Sequence, residues 1–351
     1  MTTGILLVNL GTPDAPTVAA VRRYLAPFLM DRYVIDVPTW VRALLVYGII
    51  LPLRPRRSAH AYQRVWTDEG SPLLVNSQRL MAALAPRFPG VPMALGMRYG
   101  NPSIAQGIRQ LQASGCDRLM VCPLYPHYAM STITTVGVAV HQAVRTIGFA
   151  GTFHIMPPFY HHPLYVDALA HSITPYIPSL DYLLFSYHGI PVRHLKKTDP
   201  THAHCQRVPD CCHHASPAHA TCYRHQCVTT TLETVKRLGL SPSQYGLSFQ
   251  SRLGKDKWLE PYTDATVEQL GQSGLKRLGV VCPAFLSDCL ETLEEIGMEA
   301  QAAFKAMGGE TFTLIPCLND QAHWVGALHE IITASLNDGG MLAPCLGDLK
   351  G

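Results

Sequence analysis

Leu183-Leu184-Phe185-Ser186-Tyr187-His188-Gly189-Ile190-Pro191 closes an apolar run and opens a turn. The run from Asp181 to Phe185 is short, bounded by turn formers, and reads as a buried strand. It stops at Ser186-Tyr187-His188, and Gly189 with Pro191 turns the chain at once. One imidazole is thereby placed just past a strand end. In open α/β sheets ligands sit in the crevice at the carboxyl ends of strands, so His188 is positioned to act as a base or a ligand. A ring that only caps the turn is the plainer alternative. A second stretch has the same grammar and offers a carboxylate where the first offers an imidazole: Cys282-Pro283-Ala284-Phe285-Leu286-Ser287-Asp288-Cys289-Leu290-Glu291-Thr292-Leu293-Glu294-Glu295-Ile296.

A chain of 351 residues has room for two domains, each with its own core. Hydrophobic residues at 47% and charged residues at 15% describe a folded protein rather than a disordered one. The net charge of +3 is too small to suggest nucleic acid, and no basic cluster is interleaved with aromatics. Neither Gly-x-Gly-x-x-Gly nor a Walker-type loop occurs, which argues against a nucleotide cofactor. Met1-Thr2-Thr3 leads straight into the apolar strand Gly4 to Leu10 without a basic leader, so a cytoplasmic setting is expected. Its reducing poise argues that the eleven cysteines are not a disulfide framework. Five of them, Cys205, Cys211, Cys212, Cys222 and Cys227, crowd into one loop-like segment.

Strands and helices alternate along the chain. After Gly4–Leu10, Thr17 is placed to cap a helix through Tyr24 and Leu25. Further strands are expected at Val91–Met97 and Arg118–Tyr125, with a helix from Ser103 to Ala113 between them, and Ser131-Thr132 is placed to cap a helix through His141. Gly151–Met156 is expected to begin a second set, continued by Asp181–Phe185, Gly246–Ser251 and Arg277–Cys282. The predicted architecture is α/β: two Rossmann-like domains, residues 1–150 and 151–351, each a parallel sheet flanked by helices, facing each other across a cleft. Within the first, the uncharged run Ala43–Leu53 is too short for a bilayer, which needs roughly 20 apolar residues. It reads either as a buried helix or as an apolar lip resting on a membrane surface, with Arg54, Arg56 and Arg57 at the headgroups.

Glu291, Glu295 and Glu299 are spaced to share one helix face. Glu291 sits closest to the strand end and is the candidate site carboxylate; Glu294 and Glu299 read as a solvated face, and Asp288 as the helix N-cap. Arg98 and Tyr99, at a strand end in the other half, are placed to meet an anionic or flat apolar ligand. Met97, Tyr125, Phe285 and Leu286 are the expected apolar wall. These residues suggest a flat, greasy, anion-bearing ligand and a step that moves a metal or a proton.

Taken together, several segments resemble ferrochelatases. They are Leu7-Val8-Asn9-Leu10-Gly11-Thr12-Pro13, Gly70-Ser71-Pro72-Leu73, Leu124-Tyr125-Pro126-His127-Tyr128, Ser186 to Pro191, Ser248-Phe249-Gln250-Ser251-Arg252, Trp258-Leu259-Glu260-Pro261-Tyr262 and Cys282 to Glu295. They run in that family's order over nearly the whole chain. The resemblance implies insertion of ferrous iron into protoporphyrin IX to form haem, with release of two protons. It also implies that His188 and Glu291 work at the metal-insertion face, that Arg98, Tyr99, Tyr125 and Phe285 contact the porphyrin, and that the Ala43–Leu53 run touches membranes peripherally. A non-catalytic haem or iron binder and a cobalt or nickel tetrapyrrole chelatase are the alternatives.

The segment between Pro200 and Thr229 departs from the simplest members of that family, in which it is much shorter. With its cysteines it carries His202, His204, His213, His214, His219 and His225, whereas the tail holds only Cys345, with Cys317 upstream. Its Cys-Tyr-Arg-x-Gln-Cys ending is similar to that of bacterial members with an internal [2Fe–2S] cluster. The resemblance implies ligation by Cys205, Cys212, Cys222 and Cys227, with Cys211 as the spare. A structural zinc site built from the same cysteines or the nearby histidines is the competing reading.

Overall fold

The computed structural model describes residues 2–254 and 256–337, so Cys345 lies outside the described residues. The chain forms two compact units. Among the described residues, the first contains 2–125, Met130–Pro157 and 320–337; the second contains Pro126–Ala129 and those of Pro158–Asn319.

Each unit is built on one four-stranded parallel sheet, as the alternation of apolar runs and helices predicts. In the first, β1 (Thr3–Asn9), β2 (Met93–Met97), β3 (Arg118–Pro123) and β4 (Thr152–Ile155) lie in the order β2-β1-β3-β4. In the second, β5 (Tyr182–His188), β6 (Tyr245–Gln250), β7 (Arg277–Val281) and β8 (Thr311–Leu314) lie in the order β6-β5-β7-β8. The winding reverses after the second strand of each sheet. The topological switch points therefore lie at the carboxyl ends of β1 and β3, and of β5 and β7. Helices cover the sheets; among them, Val18–Leu29 starts at Thr17, whose side chain accepts from the Ala20 amide, and Ile104–Ala113 starts with a capping box between Ser103 and Gln106.

Three details differ from the sequence reading. The strand at 152–155 does not begin the second set but pairs with β3 at the edge of the first sheet. The strand before Gly189 does not stop at Phe185; it runs on to His188, because Ser186, Tyr187 and His188 stay paired with Ser248, Phe249 and Gln250. Ser131 and Thr132 do not precede the helix: they lie inside a π-turn, Met130–Thr134, that continues into the helix Thr135–Ile147.

The resemblance-bearing segments are locked to one another. In the first unit Asn9 donates to Ser77 at 3.0 Å, and the Thr12 and Ser71 hydroxyls meet at 2.7 Å. Gly11 is required by close approach, since a Cβ there would lie 1.6 Å from the Tyr99 carbonyl oxygen. In the second unit Ser186 donates to the Gln250 side chain at 2.7 Å, and the Ser186 and Ser248 hydroxyls both meet Thr263 at 2.9 Å. The helix Ala322–Asn337 packs in the first unit against Pro72–Leu84.

His127 is buried in the second unit, with Nε2 2.9 Å from the Thr230 hydroxyl. That hydroxyl donates to the Tyr160 carbonyl, so Nε2 carries the imidazole proton and Nδ1 is left without a partner. Burial pushes the His127 pKa down to about 3. The folded state thus keeps this ring neutral while the unfolded chain protonates it below about 6.5. Stability from this group is complete above that pH and is lost as pH falls toward 3. Urea unfolding at pH 7 and pH 5 is expected to show a loss of roughly 2 kcal/mol from His127, absent in His127→Gln. An equal pH dependence in the two proteins would refute it.

Candidate functional site

His188 ends β5 in register with Gln250 at the end of β6, and its ring is half-buried. Its Nδ1 lies 2.6 Å from the Gly189 carbonyl oxygen. A carbonyl only accepts, so Nδ1 holds a proton, and in the neutral ring the lone pair is on Nε2. Gly189 allows the turn, because a Cβ there would press on the Gln250 and Ser251 carbonyl oxygens, each at 3.0 Å. The Tyr223 hydroxyl donates to the His188 carbonyl at 2.9 Å, and the Phe285 ring meets the imidazole at an angle, 6.2 Å between centroids.

The chain after β7 delivers the carboxylates on a π-helix, Glu291–Ala300, rather than an α-helix. Such wide turns recur at functional sites. Gln250 donates to the Glu291 carbonyl at 3.2 Å and so ties the start of this helix to the end of β6. Glu291 is half-buried, and the buried Cys289 thiol is hydrogen-bonded to it. Glu295 accepts from the Ser251 amide at 2.8 Å and from the Ser251 hydroxyl, and Ser251 itself holds φ +58°. Burial raises the Glu295 pKa; Ser251 and His188 pull it back down, and the Glu291 charge adds to the rise. His188, Glu291 and Glu295 therefore share one electrostatic neighbourhood. The i, i+4 spacing was the available signal for Glu295, which the sequence reading placed on the Glu291 face without singling it out as a site residue.

Two expectations for this helix fail. Glu294, expected on a solvated face, is only 9% exposed. The π-turn holds more residues than an α-turn, which carries Glu294 farther round the axis from Glu291. Asp288 does not cap the helix, whose backbone is already helical at Leu290. It accepts instead from the Thr292 hydroxyl at 3.1 Å, the Cys317 amide at 3.3 Å and the Asn319 side chain at 2.7 Å. Glu299 is exposed, as expected.

In the first unit Arg98 and Tyr99 follow β2, their amides held by the Asn9 and Leu10 carbonyls at 2.8 Å. Asp31 gathers both side chains, accepting from Arg98 at 2.5 Å and from the Tyr99 hydroxyl at 2.8 Å. Arg98 lies over the Tyr99 ring at 4.3 Å and remains partly exposed, whereas Tyr99 is 2% exposed. Burial, with the Asp31 charge, raises the Tyr99 pKa against the pull of Arg98. Tyr125 is buried with its hydroxyl unpartnered, and burial drives its pKa far up. Met97 and Leu286, expected as wall, are core residues. Phe285 is only partly buried and packs on the core of the second unit.

All five clustered cysteines are buried. The thiols of Cys205, Cys222 and Cys212 form a hydrogen-bonded chain that Cys211 joins at Cys212, and the bond to Cys205, with burial, pushes the Cys222 thiol up to about 12. The Cys227 thiol is bonded to Tyr223. Asp199 organises the loop by accepting from the Thr201, His204 and Cys205 amides at 2.8–2.9 Å. Histidine nitrogens face loop carbonyls: His204 and His219 reach Cys211 at 2.7 and 2.9 Å, and His225 reaches Cys212 at 2.8 Å. Among the described residues no group of three or more His, Cys, Asp or Glu side chains is arranged to hold a metal ion.

The Ala43–Leu53 run forms a π-helix, Leu44–Ile50, between the helices Thr39–Ala43 and Leu51–Val65. Val46 and Leu51 face inward, while Trp40 (74% exposed), Leu44, Tyr47, Ile49 and Leu53 (73%) are exposed beside Arg54, Arg56 and Arg57. A fully buried helix is thereby excluded. Among the described residues no helix is long and apolar enough to cross a membrane.

The ferrochelatase family profile matches residues 2–336. The chain belongs to the ferrochelatase family. It is 48% identical to the ferrochelatase of Pseudomonas putida (strain W619) over 326 residues, covering 92% of this chain and 96% of the relative. It is 50% identical to the ferrochelatase of Opitutus terrae over 327 residues, covering 92% and 95%. Among solved structures, SirB from Bacillus subtilis with Fe3+ superposes with a TM-score of 0.55 at 12% identity, over 97% of this chain and 98% of that one. That likeness carries the fold alone.

Ser251 lowers the Glu295 pKa, so removing its hydroxyl raises that pKa further. Ser251→Ala is expected to move the acid limb of the pH–rate profile for metal insertion upward and to leave the alkaline limb in place. An unmoved acid limb in a folded variant would show that Glu295 does not titrate in the reaction.

Proposed function

We propose that, in the insertion of ferrous iron into protoporphyrin IX that this family member carries out, His188 is the proton acceptor and Glu291 its working partner. A free porphyrin holds two inner N–H protons. Both must leave before a divalent ion is bound by four nitrogens, and the ring dianion with Fe2+ gives neutral haem. The observation that carries the reading is the His188 tautomer: Nδ1 is occupied by Gly189, which leaves the Nε2 lone pair to take a pyrrole proton. The resulting imidazolium keeps its Nδ1–H bond and gains the neighbouring carboxylates. Glu291 and Glu295 then pass protons outward, and His188 with Glu291 contacts the incoming iron as substrate. Phe285, Arg98, Tyr99 and Tyr125 contact the porphyrin. His188→Ala and Glu291→Gln are expected to lose at least about a hundredfold in turnover while porphyrin fluorescence still reports binding, and Glu299→Gln to lose little. Near-normal turnover in folded His188→Ala would overturn the assignment.

We further infer a cytoplasmic enzyme whose exposed Trp40–Leu53 face rests on a membrane surface. Five large apolar side chains open to solvent beside three arginines support this.

We also infer a [2Fe–2S] cluster held by Cys205, Cys212, Cys222 and Cys227. All four thiols are soft and buried, and those of Cys205, Cys212 and Cys222 already share one hydrogen-bonded chain, with Cys227 held by Tyr223. When bound, such a cluster supplies a redox-active centre and ties the loop. Cys222 immediately precedes Tyr223, whose hydroxyl holds the His188 carbonyl, so loosening the loop loosens the base. Serine at Cys222 or Cys227 is expected to remove iron and sulfide together, whereas Cys211→Ser retains them, as read by elemental analysis and the visible spectrum. Zinc without sulfide would refute the cluster.

A further inference from the structure

A second basic centre lies in the first unit, apart from His188 and its carboxylates. It is a cleft of about 910 Å³ lined by Arg32, Arg42, Arg98, His141 and Arg145, with Asp31 as its one carboxylate. Asp31 is already engaged by Arg98, Tyr99 and Thr135. With Arg98 paired to Asp31 and assigned above to the porphyrin, the guanidinium groups of Arg32, Arg42 and Arg145 line the cleft with no further carboxylate among its lining residues. His141 and Arg145 project from one face of the helix Thr135–Ile147, four residues apart, and both are exposed. Arg32 is also exposed and is held flat by Tyr33, its guanidinium donating to that hydroxyl at 2.9 Å.

Arg42 is the telling member. It is 6% exposed, and its two terminal nitrogens donate to the Ile35 and Val37 carbonyls and the Thr39 hydroxyl at 3.0–3.2 Å. Its Nε is buried with no partner. A buried guanidinium without an anionic partner is costly, and a neutral staple for three oxygens would not need the charge. Arg42 lines the cleft, so an anion arriving there balances its charge through space.

We propose that this cleft is a binding site for a phosphate-type oxyanion carried on a larger, partly apolar body. The surplus of guanidinium charge matches a multiply charged tetrahedral anion, which arginine forks bind well. The volume far exceeds a bare phosphate, and Pro27, Met30, Tyr33 and Val138 line the remainder. The short helix Thr39–Ala43 carries Arg42 inward and the exposed Trp40 outward, so a phospholipid headgroup and a soluble phosphate ester are both possible sources.

The test titrates the full chain with inorganic phosphate against chloride at matched ionic strength, read by calorimetry and by Tm. Saturable binding with a raised Tm is expected, weakened roughly tenfold or more in the Arg32→Ala, Arg145→Ala double variant. Both positions are exposed, so this variant does not depend on the folding of Arg42→Gln. Sedimentation with phosphatidylglycerol and phosphatidylcholine vesicles then assigns the source. If the double variant loses phosphatidylglycerol binding in step with phosphate, and free phosphate competes, the headgroup is the ligand. If phosphate binding falls while vesicle binding stays, the ligand is soluble. Phosphate acting no more strongly than chloride, or equally on the double variant, would overturn the proposal.

Discussion

The hydrogen bond between the His188 imidazole and the carbonyl of the next residue is the constraint on which the site depends. It fixes the tautomer, and it exists only because the strand ends where it does. Gly189 then packs its bare α-carbon against the end of β6, while its amide bonds to the Gln250 carbonyl at 2.6 Å. Gln250 in turn reaches the Glu291 carbonyl, and Ser251 reaches Glu295. Imidazole and carboxylates are thus referenced to one strand end rather than to separate loops. A base held this way keeps its lone pair in place without help from substrate, which is the preorganisation proton transfer asks for.

The fold was legible where the signal was local. Apolar runs such as Ile5–Val8 and Leu183–Phe185 announce buried parallel strands, and Thr17 and Ser103 announce helix starts. Partner choice was not legible. The segment Thr152-Phe153-His154-Ile155 is a four-residue edge strand, and nothing in it says whether it pairs with β3 or opens a new sheet. The fourth strand of the second sheet, Thr311–Leu314, escaped for the same reason, being short and only partly buried. Edge strands are defined by their neighbours, and neighbours are distant in sequence.

The site was legible in its residue types and less so in its geometry. His188 and Glu291 stand out because each follows an apolar strand, and their family resemblance is specific. The choice among Glu291, Glu294 and Glu295 turns on helix pitch, which composition does not encode. A π-helix places Glu294 inside and brings Glu295 to Ser251, against the solvated-face reading of Glu294. Ser251 holds a positive φ, and its amide and hydroxyl both serve one half-buried carboxylate, a pairing 44 residues apart in the chain.

Net charge conceals how the ionisable groups are arranged. A formal +3 over 351 residues looks nearly neutral, yet like charges gather at one place in each unit. The second unit places Glu291 and Glu295 around a single imidazole, an acidic site suited to a divalent cation and to protons. The first gathers Arg32, Arg42, Arg98 and Arg145 around one occupied aspartate. Like charges brought together in partly buried clefts are mutually unfavourable, and folding alone gives no reason to assemble either group. The carboxylates have such a reason in the iron and protons of the reaction. By the same physical argument the arginines require an anion of comparable charge, and Arg42, buried with its Nε unbonded, is where that requirement is sharpest.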